Sequence, residues 1–183
     1  MPPERWSWLG EPLAIDFANT VRRRGGDYTE LLSSGSDLRA WAARETPHVP
    51  DPAALVADPR LNEVRELRDA IFALLLAVAQ GDPVPTGVER RINAALAAVP
   101  LVPQLHDGHV ELVALTPADP LDELLARAAA SAVELLASPT LAYCDAPSCG
   151  QFFMRGRRDQ RWCGPACGTR TRVARHARVH GRK

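Results

Sequence analysis

The stretch that decides the architecture is CDAPSCGQFFMRGRRDQRWCGPACGTR, residues 144–170, which contains every cysteine of this 183-residue chain. The four cysteines follow the pattern Cys144-x4-Cys149-x13-Cys163-x3-Cys167. Two short pairs separated by a dozen or so residues suit a tetrahedral thiolate site, because each pair supplies two ligands from one local structure. The spacing therefore predicts that all four thiolates bind one metal ion.

The local sequence agrees with this prediction. Pro147 favours a turn within the first pair, and a helix that begins at about Pro165 would point the sulfurs of the second pair in the same direction. A segment of about 40 residues buries too little surface to fold alone, so a structural metal would supply the missing stability. Phe152, Phe153 and Trp162 are predicted to form a small core around the metal site.

The expected ion is a single structural Zn²⁺, because four thiolates close the tetrahedron and leave no open position for catalysis. Two disulfides, an iron–sulfur cluster and four free thiols are the alternatives. The disulfides are disfavoured because we expect the chain in the cytoplasm, a reducing compartment. The longest apolar run, residues 71–79, is too short to span a bilayer, so no membrane association is expected.

The net charge of zero conceals a division along the chain. Residues 1–143 carry 12 basic and 20 acidic side chains, whereas residues 144–183 carry ten basic and two acidic ones, so the net charges are −8 and +8. Such an asymmetry predicts two functional parts, of which the basic one faces a polyanion. The alternative is an intramolecular clamp between the basic segment and the acidic body.

The candidate nucleic-acid ligands are the arginines of the basic segment, because guanidinium groups contact phosphates in a bidentate manner and can read guanine in the major groove. They are Arg155, Arg157, Arg158 and Arg161 before the predicted helix, and Arg170, Arg172, Arg175, Arg178 and Arg182 on it. On that helix Ala166, Val173 and Ala177 are expected to face the finger core. His176 and His180 could bind a second metal, but they are interpreted as neighbours of phosphate.

The remainder of the chain predicts a helix-rich α+β domain with few strands. In chain order the patterns predict a short strand over residues 13–17, a loop carrying a short helix over 22–37, and a helix over 37–44 that is capped by Ser36 or Asp37 and ended by Pro47 and Pro50. Helices follow over 61–80, ended by Gly81, and over 86–99. A β-hairpin is predicted between 100 and 117 with Asp107-Gly108 as its turn, and then a helix over 121–137 that is capped by Asp119 or begun by Pro120. Residues 138–140 form the predicted boundary. No nucleotide-binding, serine-hydrolase or zinc-protease motif is present, so we expect no enzyme.

Two polar residues interrupt the first predicted strand. Asp16 needs a partner if it is buried, and Arg65 or Arg68 is the expected one. The functional hypothesis is that Asp16, Asn19 and these arginines line a pocket for a small-molecule effector. The alternative is a core ion pair together with an asparagine that caps a turn.

The segment RWCGPACGTR, residues 161–170, resembles the signature of the CGNR zinc-finger family, with Thr169 where that family usually has asparagine. The segment LAIDFANT, residues 13–20, followed by Asp37-Leu-x-x-Trp41, is similar to the start of the ABATE domain found ahead of that finger. The resemblance implies a treble-clef-type finger with four cysteine ligands, an N-terminal α+β domain and a role in bacterial transcription regulation. The gaps of thirteen and three residues between cysteines look shorter than the usual spacing.

We therefore expect a cytoplasmic regulator in two parts. Residues 1–140 form an α+β domain with a sensing or assembly role, and residues 141–183 form a zinc finger whose basic helix binds DNA. A zinc-containing adaptor that binds protein or RNA through the same surface is the alternative. A small-molecule effector and a homodimer are compatible with either interpretation.

Overall fold

The computed structural model describes Trp6 and residues 10–24, 27–45, 48–49 and 51–180, without the side chains of residues 23, 24, 27, 179 and 180. The helices are α1 (Leu13–Ala18), α2 (Gly35–Ala42), α3 (Leu61–Gln80), α4 (Thr86–Ala98), α5 (Pro120–Glu134) and α6 (Pro165–His180). The strands are β1 (Val21–Arg24), β2 (Asp27–Glu30), β3 (Leu101–His106), β4 (His109–Ala114), β5 (Leu141–Tyr143) and β6 (Phe152–Met154). They pair as three two-stranded antiparallel sheets, which confirms the predicted α+β class.

Helix α3 is the centre of the core. Its apolar positions recur at three- and four-residue intervals, so one face buries Val64, Leu67, Ile71 and Leu75 against α1, α4 and α5. The helix ends at Gly81, whose φ of 73° lies in the left-handed region that glycine adopts without strain. Both bounds of this helix confirm the sequence prediction.

The segment over residues 13–17, predicted as a strand, is instead helix α1. All six residues of α1 are buried, and the backbone N–H of Asn19 donates to the carbonyl of Ile15 at 2.9 Å. A short apolar run that is buried on every side has no period that separates a strand from a helix. The prediction was wrong because contacts with α3 and α5 decide the conformation, and those contacts are not visible locally.

The loop with a short helix, predicted after this segment, is instead the β1–β2 hairpin. Its register pairs Val21 with Glu30 and Arg22 with Thr29. A Gly-Gly pair between two candidate strands is typical of a hairpin turn, so the sequence at positions 25 and 26 already carried this signal.

Helix α2 confirms the next predicted helix but begins earlier than expected. Ser34, rather than Ser36 or Asp37, is the capping residue, because its hydroxyl accepts the backbone N–H of Asp37 at 3.2 Å. The N–H of Gly35 donates to the carboxylate of Asp58 at 2.8 Å, and a Cβ at Gly35 would lie 2.5 Å from that carboxylate. The prolines expected to end α2, at positions 47 and 50, lie outside the described residues.

The second half of the body follows the sequence closely. Helix α4 and the β3–β4 hairpin occur as predicted, with Asp107-Gly108 between the two strands. Helix α5 begins at Pro120, and the side chain of Asp119 accepts the N–H of Leu121 at 3.0 Å, as the capping prediction required. A 3₁₀ turn, Leu135–Ala137, then leads to the predicted boundary.

The β5–β6 hairpin joins the cysteine-rich segment to the body. Leu141 and Phe152 belong to the main core, and the Phe152 ring lies 4.9 Å from that of Phe72. The prediction that Phe152 packs around the cysteines was therefore wrong, because strand alternation directs Phe152 to the body and Phe153 to the cysteines. Among the residues that the structure describes, no helix is long and apolar enough to cross a bilayer.

Candidate metal centre and basic surface

The four cysteine sulfurs form one cluster. The Sγ atoms of all four lie within 4.8 Å of one another, and those of Cys149, Cys163 and Cys167 are each 3.6 Å apart. Four sulfurs bound to zinc at about 2.3 Å in a tetrahedron would be about 3.8 Å apart. Disulfide sulfurs would be about 2 Å apart, and all four cysteines are free. The cluster thus has the dimensions of a tetrathiolate metal site.

Two local structures bring the sulfurs together. In the first, Cys144 donates its N–H to the carbonyl of Gln151 at 2.8 Å, and positive φ values at Ser148 and Gly150 turn the chain back on itself. In the second, Cys163 precedes α6 and Cys167 lies in its first turn. The predicted helix start at Pro165 is confirmed. Cys144, Cys149 and Cys167 are buried, so an ion among them would be shielded from water.

The four thiols are so close together that they can all ionise only if a cation binds between them. Hydrogen bonds from the thiols of Cys149 and Cys163, and from backbone N–H groups, lower the pKa of the Cys144 thiol. The same proximity to Cys144 raises the pKa of the thiols of Cys149 and Cys163. One thiolate thus opposes the ionisation of its neighbours, and a central dication would remove that opposition.

Arg170 supports the cluster from outside. Its guanidinium donates to the carbonyls of Pro147 and Ser148 at 3.4 and 3.3 Å, and to the sulfur of Cys167 at 3.5 Å. It therefore links the first cysteine turn to α6 and places a positive charge beside the thiolates. Arg170 was predicted as a nucleic-acid ligand, and the structure gives this side chain a positioning contact within the finger.

A small apolar cluster surrounds the sulfurs. Ala142, Ala146 and Phe153 are buried there, and Trp162 packs against them. Gly168 leaves room for the tryptophan, because a Cβ at this position would lie 3.3 Å from the Trp162 ring. Trp162 and Phe153 thus confirm two of the three aromatic residues expected around the site.

The predicted nucleic-acid ligands are, with the exception of Arg170, exposed wherever the structure describes them, and together they are called the basic surface. Arg155, Arg157, Arg158 and Arg161 are exposed in the segment between β6 and α6, and Arg172, Arg175 and Arg178 are exposed on α6. Arg161 pairs with Asp145 at 2.9 Å. Arg172 donates to the hydroxyl of Thr169 at 2.9 Å, so the threonine side chain forms a hydrogen bond within α6. Arg182 lies outside the described residues.

Helix α6 projects further from the finger than expected. Ala166, Val173 and Ala177 were predicted to face the finger core, but all three are exposed, with Val173 at 64%. The prediction was wrong because the buried core of the finger ends at Cys167 and Gly168, and no element that the structure describes packs extensively against the later turns of α6.

The residues predicted to line an effector pocket belong to separate networks. Asn19 bonds to the backbone of Phe152 through both amide atoms, at 2.9 and 3.0 Å. The guanidinium of Arg68, which is fully buried, makes two 2.7 Å contacts with the carboxylate of Glu30. Arg65 lies 3.8 Å from the same carboxylate and donates to the carbonyl of Leu32.

The expected ion pair between Asp16 and one of these arginines does not form. One carboxylate oxygen of Asp16 accepts the N–H of Glu11 at 2.9 Å, and the other has no hydrogen-bond partner within the described part of the chain. Burial raises the pKa of Asp16 to about 7 and, together with the charge of Asp16, that of Glu45 to about 8. The roles of Glu30 and Glu45 were missed, because nothing in the local sequence marks Glu30 as the partner of Arg68 or Glu45 as buried.

Comparison with protein-family models gives two matches in chain order. A model named ABATE, described as "Putative stress-induced transcription regulator", matches residues 11–139. A model described as CGNR zinc finger matches residues 141–180. No curated protein gives a significant match. The finger model and the sulfur geometry agree on one structural zinc ion held by the four-cysteine cluster.

Proposed function

Since this chain belongs to the ABATE family and ends in a CGNR zinc finger, we propose that it is a transcription regulator that binds DNA through its arginines. The observation that supports this best is the exposed basic surface beside the metal centre. Of its arginines, only Arg161 has an acidic partner among the described residues. Side chains with uncompensated charge on a rigid support are available to phosphate groups.

The metal has a structural role in this proposal. Cys144, Cys149, Cys163 and Cys167 would all be ligands, which leaves no open coordination position for a substrate. Zinc would fix the start of α6 relative to the arginine-rich segment before it. No reaction is assigned to the chain, and neither family description names one.

Helix α6 is the proposed reading element. It has 16 residues and is therefore about 24 Å long, which suits a helix that enters the major groove. Arg175 and Arg178 lie three residues apart on one exposed face of the helix. Arg155, Arg157 and Arg158 lie before the helix, where they would contact the phosphates that flank the groove.

We also propose a division of labour along the chain. Residues 141–183 would bind DNA in the cytoplasm, and residues 1–140 would regulate that binding by accepting an effector or a second copy of the chain. The opposite net charges of the two segments support this division, because the acidic body would not itself adhere to DNA.

The test is binding of the zinc-loaded full chain to DNA selected from a random duplex pool, measured over a range of salt concentrations. Affinity should fall steeply with salt. The double variant Arg175→Ala and Arg178→Ala should bind more weakly, and its slope of log affinity against log salt should be shallower by about 1–2.

The matched control is Arg90→Ala, which removes an exposed arginine from α4 in the acidic body and should leave the affinity unchanged. Zinc content should stay at one ion per chain in both proteins. A zinc-loaded chain without affinity for any duplex at low salt would contradict the DNA proposal and favour the adaptor for protein or RNA.

A further inference from the structure

The backbone groups along the two edges of the β3–β4 hairpin can be assigned from one hydrogen bond. At the open end of the hairpin the N–H of Leu115 donates to the carbonyl of Pro100 at 3.0 Å. Hydrogen-bonded and non-hydrogen-bonded pairs alternate along an antiparallel ladder, so the register fixes which residues turn their N–H and carbonyl groups outward. These residues are Leu101, Pro103 and Leu105 on β3 and Val110, Leu112 and Ala114 on β4.

The outer edge of β3 is interrupted by a proline. Pro103 lies at an outward position in the middle of β3 and has no N–H, so it removes a donor from this edge. Proline on an edge strand is one of the features by which proteins prevent the strands of other chains from pairing with a sheet. A further strand is therefore disfavoured on the β3 side.

The outer edge of β4 has no such protection. The outward backbone groups of Val110, Leu112 and Ala114 form no hydrogen bond with another described residue. The strand pairs without a bulge, and it contains one acidic residue, Glu111, and no arginine or lysine. By contrast, β1 contains three arginines. Edge strands of globular proteins are normally protected by charges, proline or bulges, so an edge without any of them indicates a pairing surface.

The burial of the hairpin indicates what pairs with this edge. Leu101 and Ala114 at its base are half-buried, whereas Leu105 and Val110 at its tip remain 77% and 74% exposed. An antiparallel second copy of β4 would bring the exposed tip of each hairpin beside the half-buried base of the other, and so beside the body of the other chain. A peptide strand from another protein would complete the edge but would bring no such body to cover the tip.

We propose that β4 pairs with β4 of a second copy of the chain, antiparallel and about a two-fold axis at Leu112. The product is a four-stranded sheet in the order β3–β4–β4–β3. Because Pro103 interrupts both outer edges of this sheet, the assembly ends at two chains. The pairing rests on the assembly role proposed above for residues 1–140, but it does not require DNA binding.

The backbone and the side chains are both compatible with this register. Val110 forms a hydrogen-bonded pair with Ala114 of the second copy, and Leu112 pairs with its own equivalent, which gives about six backbone hydrogen bonds. Glu111 lies directly opposite Val113 of the second copy, so the two carboxylates do not oppose each other. Shifting the register by two residues to place Glu111 on the axis would oppose them.

The test is sedimentation equilibrium of the zinc-loaded full chain without DNA, which should show a dimer. Val110→Pro removes an outward N–H of β4 but no hydrogen bond within the hairpin, so the dissociation constant of the dimer should rise at least about five-fold. Leu105→Pro is the matched control, because Leu105 lies opposite Val110, is similarly exposed and belongs to the edge that Pro103 already interrupts. It should dimerise as the wild type does. A monomeric wild type, or an equal loss in both variants, would overturn the proposal.

Charges at position 113 test the register without a proline. Val113→Lys would face Glu111 of the second copy with opposite charge, and Val113→Glu would face it with like charge, twice in each dimer. The lysine variant should therefore dimerise at least about four-fold more tightly than the glutamate variant. The same two changes at Val102, the register partner of Val113 on β3, alter the net charge equally but lie one strand further away. Their difference should be smaller, and equal differences at both positions would contradict the proposed pairing.

Amide hydrogen exchange locates the interface directly. The amides of Val110, Leu112 and Ala114 should exchange more slowly as the protein concentration rises through the dissociation constant of the dimer, whereas the amide of Leu105 should exchange at a constant rate. Exchange at those three amides that does not depend on concentration would overturn the proposal. A dimer that binds no duplex would contradict the DNA proposal alone, and a monomer that binds DNA would contradict the pairing alone.

Discussion

The side-chain amide of Asn19 pairs with the backbone of Phe152 in both directions. Its oxygen accepts the Phe152 N–H at 2.9 Å, and its nitrogen donates to the Phe152 carbonyl at 3.0 Å. Asn19 follows α1 in the body, and Phe152 begins β6 in the cysteine-rich segment. The two parts of the chain are thus joined by hydrogen bonds as well as by the apolar contacts of Phe152.

Replacing Asn19 should uncouple this junction. Asn19→Ala leaves one buried N–H and one buried carbonyl of Phe152 without partners, so the free energy of unfolding should fall by about 2–4 kcal/mol. Urea denaturation of the zinc-loaded chain measures the change. Asn93→Ala on the exposed face of α4 is the control and should differ by less than about 0.5 kcal/mol. Equal stability of the two variants would show that the Asn19 contacts contribute nothing.

Removal of zinc should destabilise helix α3 of the body as well as the cysteine-rich segment. Leu141 precedes the first cysteine and Phe152 lies between the two cysteine pairs, but both are packed in the main core, against residues that include Phe72 of α3. After chelation, hydrogen exchange of α3 amides should therefore accelerate, as well as that of α6 amides. Restoration of zinc should reverse both effects. Acceleration confined to residues 141–180 would show that the body is independent of the finger.

Arg170 should govern retention of the metal more than contact with DNA. Arg170→Ala removes two bonds to the carbonyls of Pro147 and Ser148 and a charge beside Cys167. Loss of such a supporting contact typically lowers metal affinity about 10–100-fold. Competition with a colorimetric chelator measures this. Arg175→Ala, equally basic but exposed, should retain zinc as the wild type does, and equal zinc loss from both variants would refute the distinction.

The buried guanidinium of Arg68 depends on Glu30. Glu30→Gln preserves shape but removes the negative charge that makes two 2.7 Å contacts with Arg68. A buried charge left without its partner typically costs about 3–5 kcal/mol. Thermal and urea unfolding should show a loss of this size, and Glu89→Gln, exposed on α4, should show almost none. A loss below about 1 kcal/mol would mean that Asp69 alone compensates Arg68.

The buried carboxyls of Asp16 and Glu45 should make the chain less stable as pH rises. Burial raises their pKa values to about 7 and about 8, so folding favours the protonated forms. Their stabilising contribution is complete below the unfolded pKa of about 4 and is lost as pH rises through 7 and 8. Between pH 6 and pH 8 the free energy of unfolding should fall by about 3–4 kcal/mol, of which Glu45 contributes the larger part.

Glu45→Gln tests the origin of this pH dependence. The amide cannot ionise, so the fall between pH 6 and pH 8 should shrink by more than half, and at pH 8 the variant should be more stable than the wild type. Glu89→Gln should retain the full dependence. An unchanged pH profile in Glu45→Gln would assign the effect to other groups.

The sequence patterns that gave correct predictions reflect interactions between residues that are close together in the chain. The three-four spacing in α3, the Gly81 stop, the Asp107-Gly108 turn and the Asp119 cap each depend on residues within a few positions of one another. The same holds for the metal cluster, since the cysteine spacing and Pro165 predict four converging sulfurs. Such features can therefore be predicted without knowledge of the rest of the fold.

The predictions that failed concern segments whose neighbours lie far along the chain. α1 is helical because α3 and α5 surround it, and Asp16 lacks an arginine because Arg65 and Arg68 contact Glu30 across the body. Phe152 does not pack around the metal cluster, because its ring packs against those of Phe72 and Tyr143 in the main core.

The sequence by itself determined the fold class, the metal site and the segregation of charge, because each follows from composition or short-range spacing. The tertiary structure alone decided three further points: which polar groups are buried, that α6 projects into solvent, and that the zinc-binding segment shares a core with the body. These are properties of contacts between distant residues, whose energies depend on what surrounds each side chain rather than on what precedes it in the chain.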